Sequence, residues 1–455
     1  MERNEKESGV IAETKRVRGT NQNLITGGRL FMRGLKFGLV IFMAALFTLA
    51  LGGLAYAFHS GGVAECSGCH SMHSPKAGGS FLLIGTDASS TCLTCHMHAG
   101  DTGPSGYHIA TATADMPAGV PPKQRTPGGD FGWLSKTYAF TVRGTTTTEL
   151  GQTHGHNIVA IDMPQFVSDT SNITAPGGTF PSSQLGCQSC HEPHGGVRRD
   201  ASGNYSRPLN SVGSANGPIV GSGSYGAIPA AGQTVGGYRL LRGLNDSTQG
   251  VTFTGVAIAV APSTYNQSEA TNQVRVAYGA SAANTWGNWC ATCHPGMHSS
   301  GHYVHPVDES LGSGPSGVAN IYNAYVKTGD LTGTAATSFT SLVPFAENTG
   351  DIATLASHAK NDNSYLNGPA SSDKVMCLSC HRAHASGWPE ALRWNMEGEF
   401  MVYNSLYPGT DTTPAVPQFA RGRLGAETQA AYYDRPVTQF ASYQRVLCNK
   451  CHAKD

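Results

Sequence analysis

Six copies of the pentapeptide Cys-x-x-Cys-His use every cysteine in the chain. They are Cys66/Cys69/His70, Cys92/Cys95/His96, Cys187/Cys190/His191, Cys290/Cys293/His294, Cys377/Cys380/His381 and Cys448/Cys451/His452. The two thiols of such a pentad add to the two vinyl groups of one haem, and the adjacent histidine binds its iron from one face. Each motif therefore predicts one covalent haem c, six in all. Chance gives on the order of 0.01 such motifs in a chain of this composition. A disulfide framework would leave the histidine after every second cysteine unexplained. Zinc knuckles would need two such pairs, or one pair with spaced histidines, for each metal.

An iron held by one histidine needs a second axial ligand. Twelve histidines remain after the six motif residues, twice the number required, which favours bis-histidine, low-spin haems over methionine ligation. Such irons have no open position for a substrate, which favours electron transfer over catalysis. His73, His194 and His384 each follow a motif histidine by three residues. On the same helical turn they cannot reach around their own haem, but they can reach a neighbouring one. His59, seven residues before Cys66, His156 and His305 in loops, and His358 at a helix end are the next candidates, followed by His108. His98, His154, His298 and His302 are expected to face solvent or haem propionates.

The elements that must position these groups are sparse. From first cysteine to first cysteine the motifs are separated by 26, 95, 103, 87 and 71 residues, so haems 1 and 2 are expected to be neighbours and the later intervals to be long loops. Only 13% of the chain is charged and it contains 57 glycines, a composition of loops draped over something else. The expected fold is a multihaem c-type cytochrome, mostly coil with short α-helices and minimal β-structure, cored by six covalent haems. Short strands are expected within 137–143 and 251–260. Helices are expected over 318–327, from Pro389 through Trp394 and Met396, from a cap at Asp351 to His358, and over 435–447 into the last motif.

Residues 1–57 read as an export signal: basic residues precede the apolar run Phe37 to Leu54, and Ala55-Tyr56-Ala57 has the form of a cleavage site. A true start at Met32 would leave a signal of ordinary length. The competing reading, a retained anchor, is opposed by that cleavage site, and no other stretch could span a bilayer. Residues 58–455 then form a single hexahaem domain with 22 basic and 26 acidic side chains. With two propionates added per haem, a nucleic-acid partner is excluded on charge.

Several stretches are familiar. Phe58-His59-Ser60-Gly61-Gly62-Val63, Thr126-Pro127-Gly128-Gly129-Asp130-Phe131-Gly132-Trp133, Gly155-His156-Asn157-Ile158-Val159 and the terminal Cys448-Asn449-Lys450-Cys451-His452-Ala453-Lys454-Asp455 are long matches of low degeneracy. Through them, residues 58–455 resemble the filament-forming hexahaem c-type cytochromes of the bacterial outer surface. The long N-terminus and the region from about Ser206 to Gly250 depart from that family. The resemblance implies a secreted homopolymer with a continuous haem chain, in which His73 ligates haem 5, the haem of His381, in the adjacent subunit. It also implies other redox cytochromes, metal oxides or electrodes as acceptors. The alternatives are a multihaem reductase, which usually keeps one iron five-coordinate, and a monomeric periplasmic carrier, whose distal histidines would all be intramolecular.

Overall fold

Few stretches of this chain carry the apolar period of a long element, and the elements that form are short. The computed structural model describes residues 66–76, 81–207, 217, 219–298 and 305–452; the export segment, His59 and His302 fall outside them. These residues belong to one compact unit, Tyr56–Asp455. Among them the longest α-helix is Ala88–His96, with Asp87 capping it by accepting from the Ser90 amide at 2.7 Å. No described helix is long and apolar enough to cross a membrane.

The strands fall where β-branched and aromatic residues cluster. Tyr138–Val142 pairs antiparallel with Thr145–Glu149. Its turn, Arg143-Gly144, has positive φ at both residues (51° and 81°), the geometry whose twist matches the flanking strands. Within 251–260, Val251–Thr252 closes a small hairpin with Ser247–Thr248. Ile258–Val260 pairs with Ala277–Gly279, which pairs in parallel with Ala346–Glu347.

Helix expectations divide. Asp351 caps Ile352–His358 by accepting from the Thr354 amide at 2.9 Å. The helix expected over 318–327 forms as Val318–Ala324. At Pro389 only one 3₁₀ turn forms, Pro389–Ala391, because Glu390 and Ala391 turn left-handed (φ 54° and 55°). Nor does 435–447 become helix. A 3₁₀ turn at Val437–Gln439 follows Pro436, and Gln444–Arg445 then joins Phe400–Val402 as a strand. The reason is tertiary: the fully buried Gln444 amide donates to Tyr325 Oη at 2.7 Å and to Thr328 Oγ1 at 3.2 Å, partners no local helix supplies.

Side chains are packed around buried ion pairs as well as apolar groups. Arg423 is fully buried, donating to Gly387 O and to Glu149, with its guanidinium over the rings of Tyr138 (4.2 Å) and Trp388 (4.4 Å). Glu149 also takes His154 Nε2 at 2.8 Å and Arg421 Nε at 3.0 Å. Burial would raise the Glu149 carboxyl, but the His154 hydrogen bond and the Arg423 charge outweigh it and hold it at about 2. Removing one member leaves the others buried and unpaired. Arg423→Met is expected to cost about 3–5 kcal/mol in a denaturant titration. Because the folded value lies below the unfolded one of about 4.3, the contribution of Glu149 is complete above that pH. It is lost as pH falls toward 2, a dependence that Glu149→Gln should weaken in acid-unfolding curves.

Candidate haem sites

Each motif is wound as one turn. The amide of the motif histidine bonds back to the carbonyl of the first cysteine, His70 to Cys66 at 2.8 Å, His191 to Cys187 at 2.9 Å, His294 to Cys290 at 3.1 Å, His381 to Cys377 and His452 to Cys448 at 3.0 Å. One turn brings cysteine, cysteine and histidine to the same face. None of the twelve cysteines is paired in a disulfide.

Around the first, third and fifth motifs the chain builds the same cradle three times, which the sequence reading missed. Nδ1 of His70, His191 and His381 contacts Phe81 O (2.7 Å), Arg239 O (2.9 Å) and Glu390 O (2.7 Å). The next residue, Leu82, Leu240 or Ala391, is left-handed (φ 50°, 55° and 55°), and the one after it, Leu83, Leu241 or Leu392, bridges back to the motif histidine. Ser71, Glu192 and Arg382 then donate their amides to Leu82 O, Leu240 O and Ala391 O, while Ile84, Arg242 and Arg393 donate to Cys69 O, Cys190 O and Cys380 O. This is why the turn at Pro389 refuses to continue as helix: the Glu390 carbonyl is needed by His381. The segments lie 11, 48 and 9 residues beyond their histidines, so no fixed spacing marked them. The recurring signal is two residues ending in leucine after the residue whose carbonyl accepts from the histidine.

With Nδ1–H donating to a carbonyl, a neutral imidazole keeps its lone pair on Nε2, the form that binds a metal. Burial lowers His156 and His191 to about 4 and His384 to about 3, so all three are neutral at pH 7. The described rings also stand in pairs. His70 faces His194 at 6.2 Å between centroids, His294 faces His156 at 6.0 Å and His452 faces His305 at 6.2 Å. A nitrogen–metal bond of about 2.0 Å, with about 1.1 Å from nitrogen to ring centre, would put two imidazoles on opposite sides of one metal about 6.2 Å apart. The residues present thus fit haem c: two thiols and a lone-pair nitrogen on one face, a second imidazole at the trans distance. His384 adjoins His191 electrostatically and is stacked on Phe131 at 4.5 Å.

The motifs also run in sequence order through space. Burial raises the Cys69 thiol, with Cys92 and Cys95 beside it. Cys92 lies beside Cys187, and Cys290 beside Cys377. Burial pushes Cys190 up to about 12 with Cys293 next to it, and Cys380 likewise with Cys451 and Cys448 next to it. Motifs one and two are neighbours, as their spacing predicts, and the same adjacency continues to the sixth.

Other candidates are placed elsewhere. His358 contacts Glu347 Oε2 through Nδ1 at 2.7 Å and stacks on Tyr365 at 4.1 Å. His108, 7% exposed, contacts Asp101 at 2.6 Å and faces His98, not a motif ring, at 6.0 Å. Of those expected at the surface or on propionates, His154 is instead fully buried between Glu149 and Trp133 O, and His298 contacts Asp308 at 3.2 Å. His96 contacts Tyr107 O at 2.8 Å through Nδ1. His73 is exposed.

Repeated Cys-x-x-Cys-His turns, neutral histidines and a loop-rich scaffold define a multihaem c-type cytochrome. The chain belongs to the family of C-type cytochrome OmcS of Geobacter sulfurreducens, to which it is 48% identical over 450 residues, 93% of this chain and 100% of that one. A cryo-EM structure of the OmcS nanowires from that organism superposes with a TM-score of 0.78 at 47% identity, covering 88% of this chain and 100% of the other. A second solved structure, the outer membrane cytochrome S filament of the same species, gives 0.77 at 46% identity, again over 88% and 100%. No protein-family model matches the chain.

The ring pairs make a direct prediction. His156→Ala or His305→Ala should convert one haem per chain from low to high spin in electron paramagnetic resonance, whereas His358→Ala should leave the spectrum unchanged.

Proposed function

We propose that this protein is a secreted electron conduit, carrying six bis-histidine haems c and polymerising into a filament at the cell exterior. The bound haems supply one-electron redox chemistry; the chain sets their spacing, excludes water and tunes each iron through ligands and burial. In this reading no side chain performs acid–base or nucleophilic work, residues 1–57 are the export signal and 58–455 the single hexahaem domain. The names of the relatives, nanowire and filament, support the polymer; other cytochromes, metal oxides and electrodes are the proposed acceptors.

The observation that carries the proposal is the order in which histidines are exchanged between motifs. His194, which follows the third motif, faces the first motif's His70. His384, which follows the fifth, adjoins the third motif's His191. Each odd motif thus takes its second ligand from the odd motif after it, and the fifth has no successor in this chain. The equivalent histidine is His73, exposed beyond the first motif, and a second copy of the chain supplies it. The even motifs follow a matching rule. His156 precedes the third motif and faces the fourth motif's His294, and His305 precedes the fifth and faces the sixth motif's His452. By the same step His59, before the first motif, is the proposed ligand of the second motif's haem. On this assignment His108 and His358 are not ligands.

Backbone contacts give the junction its form. The His156 amide donates to His384 O at 2.9 Å and its Nδ1 to Ala383 O at 2.7 Å, so one distal histidine rests on the loop that carries the other. One repeat on, the exposed His305 would receive the Met72-His73 loop of the adjoining copy, where Met72 is 80% exposed.

His73→Ala is therefore expected to keep its full complement of covalent haem, measured by pyridine haemochrome, yet yield no filaments by electron microscopy. Normal filaments from this variant would refute the crossing ligand.

A further inference from the structure

The three odd sites share one cradle but differ at the residue after the motif histidine: Ser71, Glu192 and Arg382. Only one of these can place a negative charge on a ligand. Glu192 Oε1 lies 3.1 Å from Nδ1 of His194 and accepts from the His194 amide at 3.2 Å, while Oε2 accepts from the Gly196 amide. The carboxylate side chain is only 17% exposed. Three donors converge on it. A β-carbon at Gly196 would stand 3.0 Å from Oε2, so the loop closes tightly over it. By contrast Nδ1 of His70, His96, His156, His191, His294 and His381 contacts a neutral backbone carbonyl. Among the described ring pairs that include a motif histidine, His194 is the one ring whose Nδ1 meets a carboxylate.

We infer that Glu192 is a positioning and tuning residue that lowers the reduction potential of the haem bound by Cys66, Cys69 and His70. It draws the Nδ1 proton of that haem's second ligand toward a carboxylate. A histidine donating to a carboxylate is a stronger base toward its metal than one donating to an amide carbonyl. The oxidised iron, with one more positive charge, gains more from this than the reduced iron does, so reduction becomes harder. In a polymer the effect recurs once per subunit, at the motif whose neighbouring His73 crosses the junction. The inference rests on the proposed pairing of His70 with His194 across one iron.

The test is a spectroelectrochemical titration of purified filaments. Glu192→Gln keeps an acceptor for Nδ1 and removes the charge. One component potential should move upward while the rest stay in place, with haem content and low-spin character unchanged. Absence of any shift overturns the inference, as does an equal shift in Glu347→Gln, where the carboxylate on His358 is neutralised instead. His194→Ala separates the two levels of the argument. If it produces no high-spin haem, the axial pairing itself falls. If it does, and Glu192→Gln moves nothing, only the tuning falls. Should Glu192→Gln fail to mature, near-infrared magnetic circular dichroism of the native filament decides: one ligand-sensitive charge-transfer band at shorter wavelength than the others supports the inference, and a uniform set of bands overturns it.

Discussion

An imidazole binds iron well only when its Nε2 carries the lone pair, its Nδ1 proton has somewhere to go, and its ring is held at the trans distance from a partner. Much of the local irregularity in this chain follows from those demands. The left-handed residues Arg239, Leu240, Glu390 and Ala391 are costly for side chains that are not glycine. They occur where a carbonyl must be rotated toward His191 or His381. Burial does the rest at His156, His191 and His384, favouring the neutral ring that can ligate over the charged one that cannot. Local strain and desolvation, liabilities in an ordinary loop, would here prepare a metal ligand, as the proposed function requires.

The same reasoning accounts for how little regular structure the fold needs. A helix of four residues, as at Cys66–Cys69 or Cys187–Cys190, is far below the length at which helices hold themselves in water. Covalent attachment at both thiols and one histidine would fix such a turn at three points. Between the motifs the chain relies on buried polar pairings that no apolar core requires. Arg435, 2% exposed, reaches Glu269, Gln273 and Ser341, and the buried Arg125 fork meets Asp434 at 2.9 Å through two nitrogens. These pairings join segments 94 to 309 residues apart, and the bidentate geometry of the Arg125–Asp434 pair adds a directional specificity that packing of glycine-rich loops lacks.

What could be read from residue order alone was whatever lies within one turn of the chain. The motif turns, the Asp351 cap and the strand within 137–143 are local, and they form where their residues predict. The pairing of ligands is not local: His194 faces a ring 124 positions earlier, and His156 one 138 positions later. His358 stands at the expected helix end, and the groups around it, Glu347 and Tyr365, arrive by strand and loop from elsewhere in the chain. The stretch 435–447 fails for the same reason, since the hydrogen bonds that pull Gln444 into a strand come from Tyr325 and Thr328. The odd-site cradle was hidden by loop length: its donor segment follows closely after the first and fifth motifs but waits 48 residues after the third.

On the proposed ligand pairing, the motifs taken as a series make the end of the subunit structurally arbitrary. A ligand-exchange rule that advances by two motifs has no natural terminus, because each odd site is incomplete until the next one is built. Within the chain the proposed completion is intramolecular, as His194 is to His70; at the fifth motif the same requirement would be met from a second copy. A chain with three such repeats therefore carries one donor too many at its beginning and one acceptor too many at its end. The two differ only by the cut in the polypeptide, so the contact that joins copies uses the same chemistry and the same backbone geometry as the contacts that fold each one. Assembly in this protein is then best understood as folding continued across a gap in the chain.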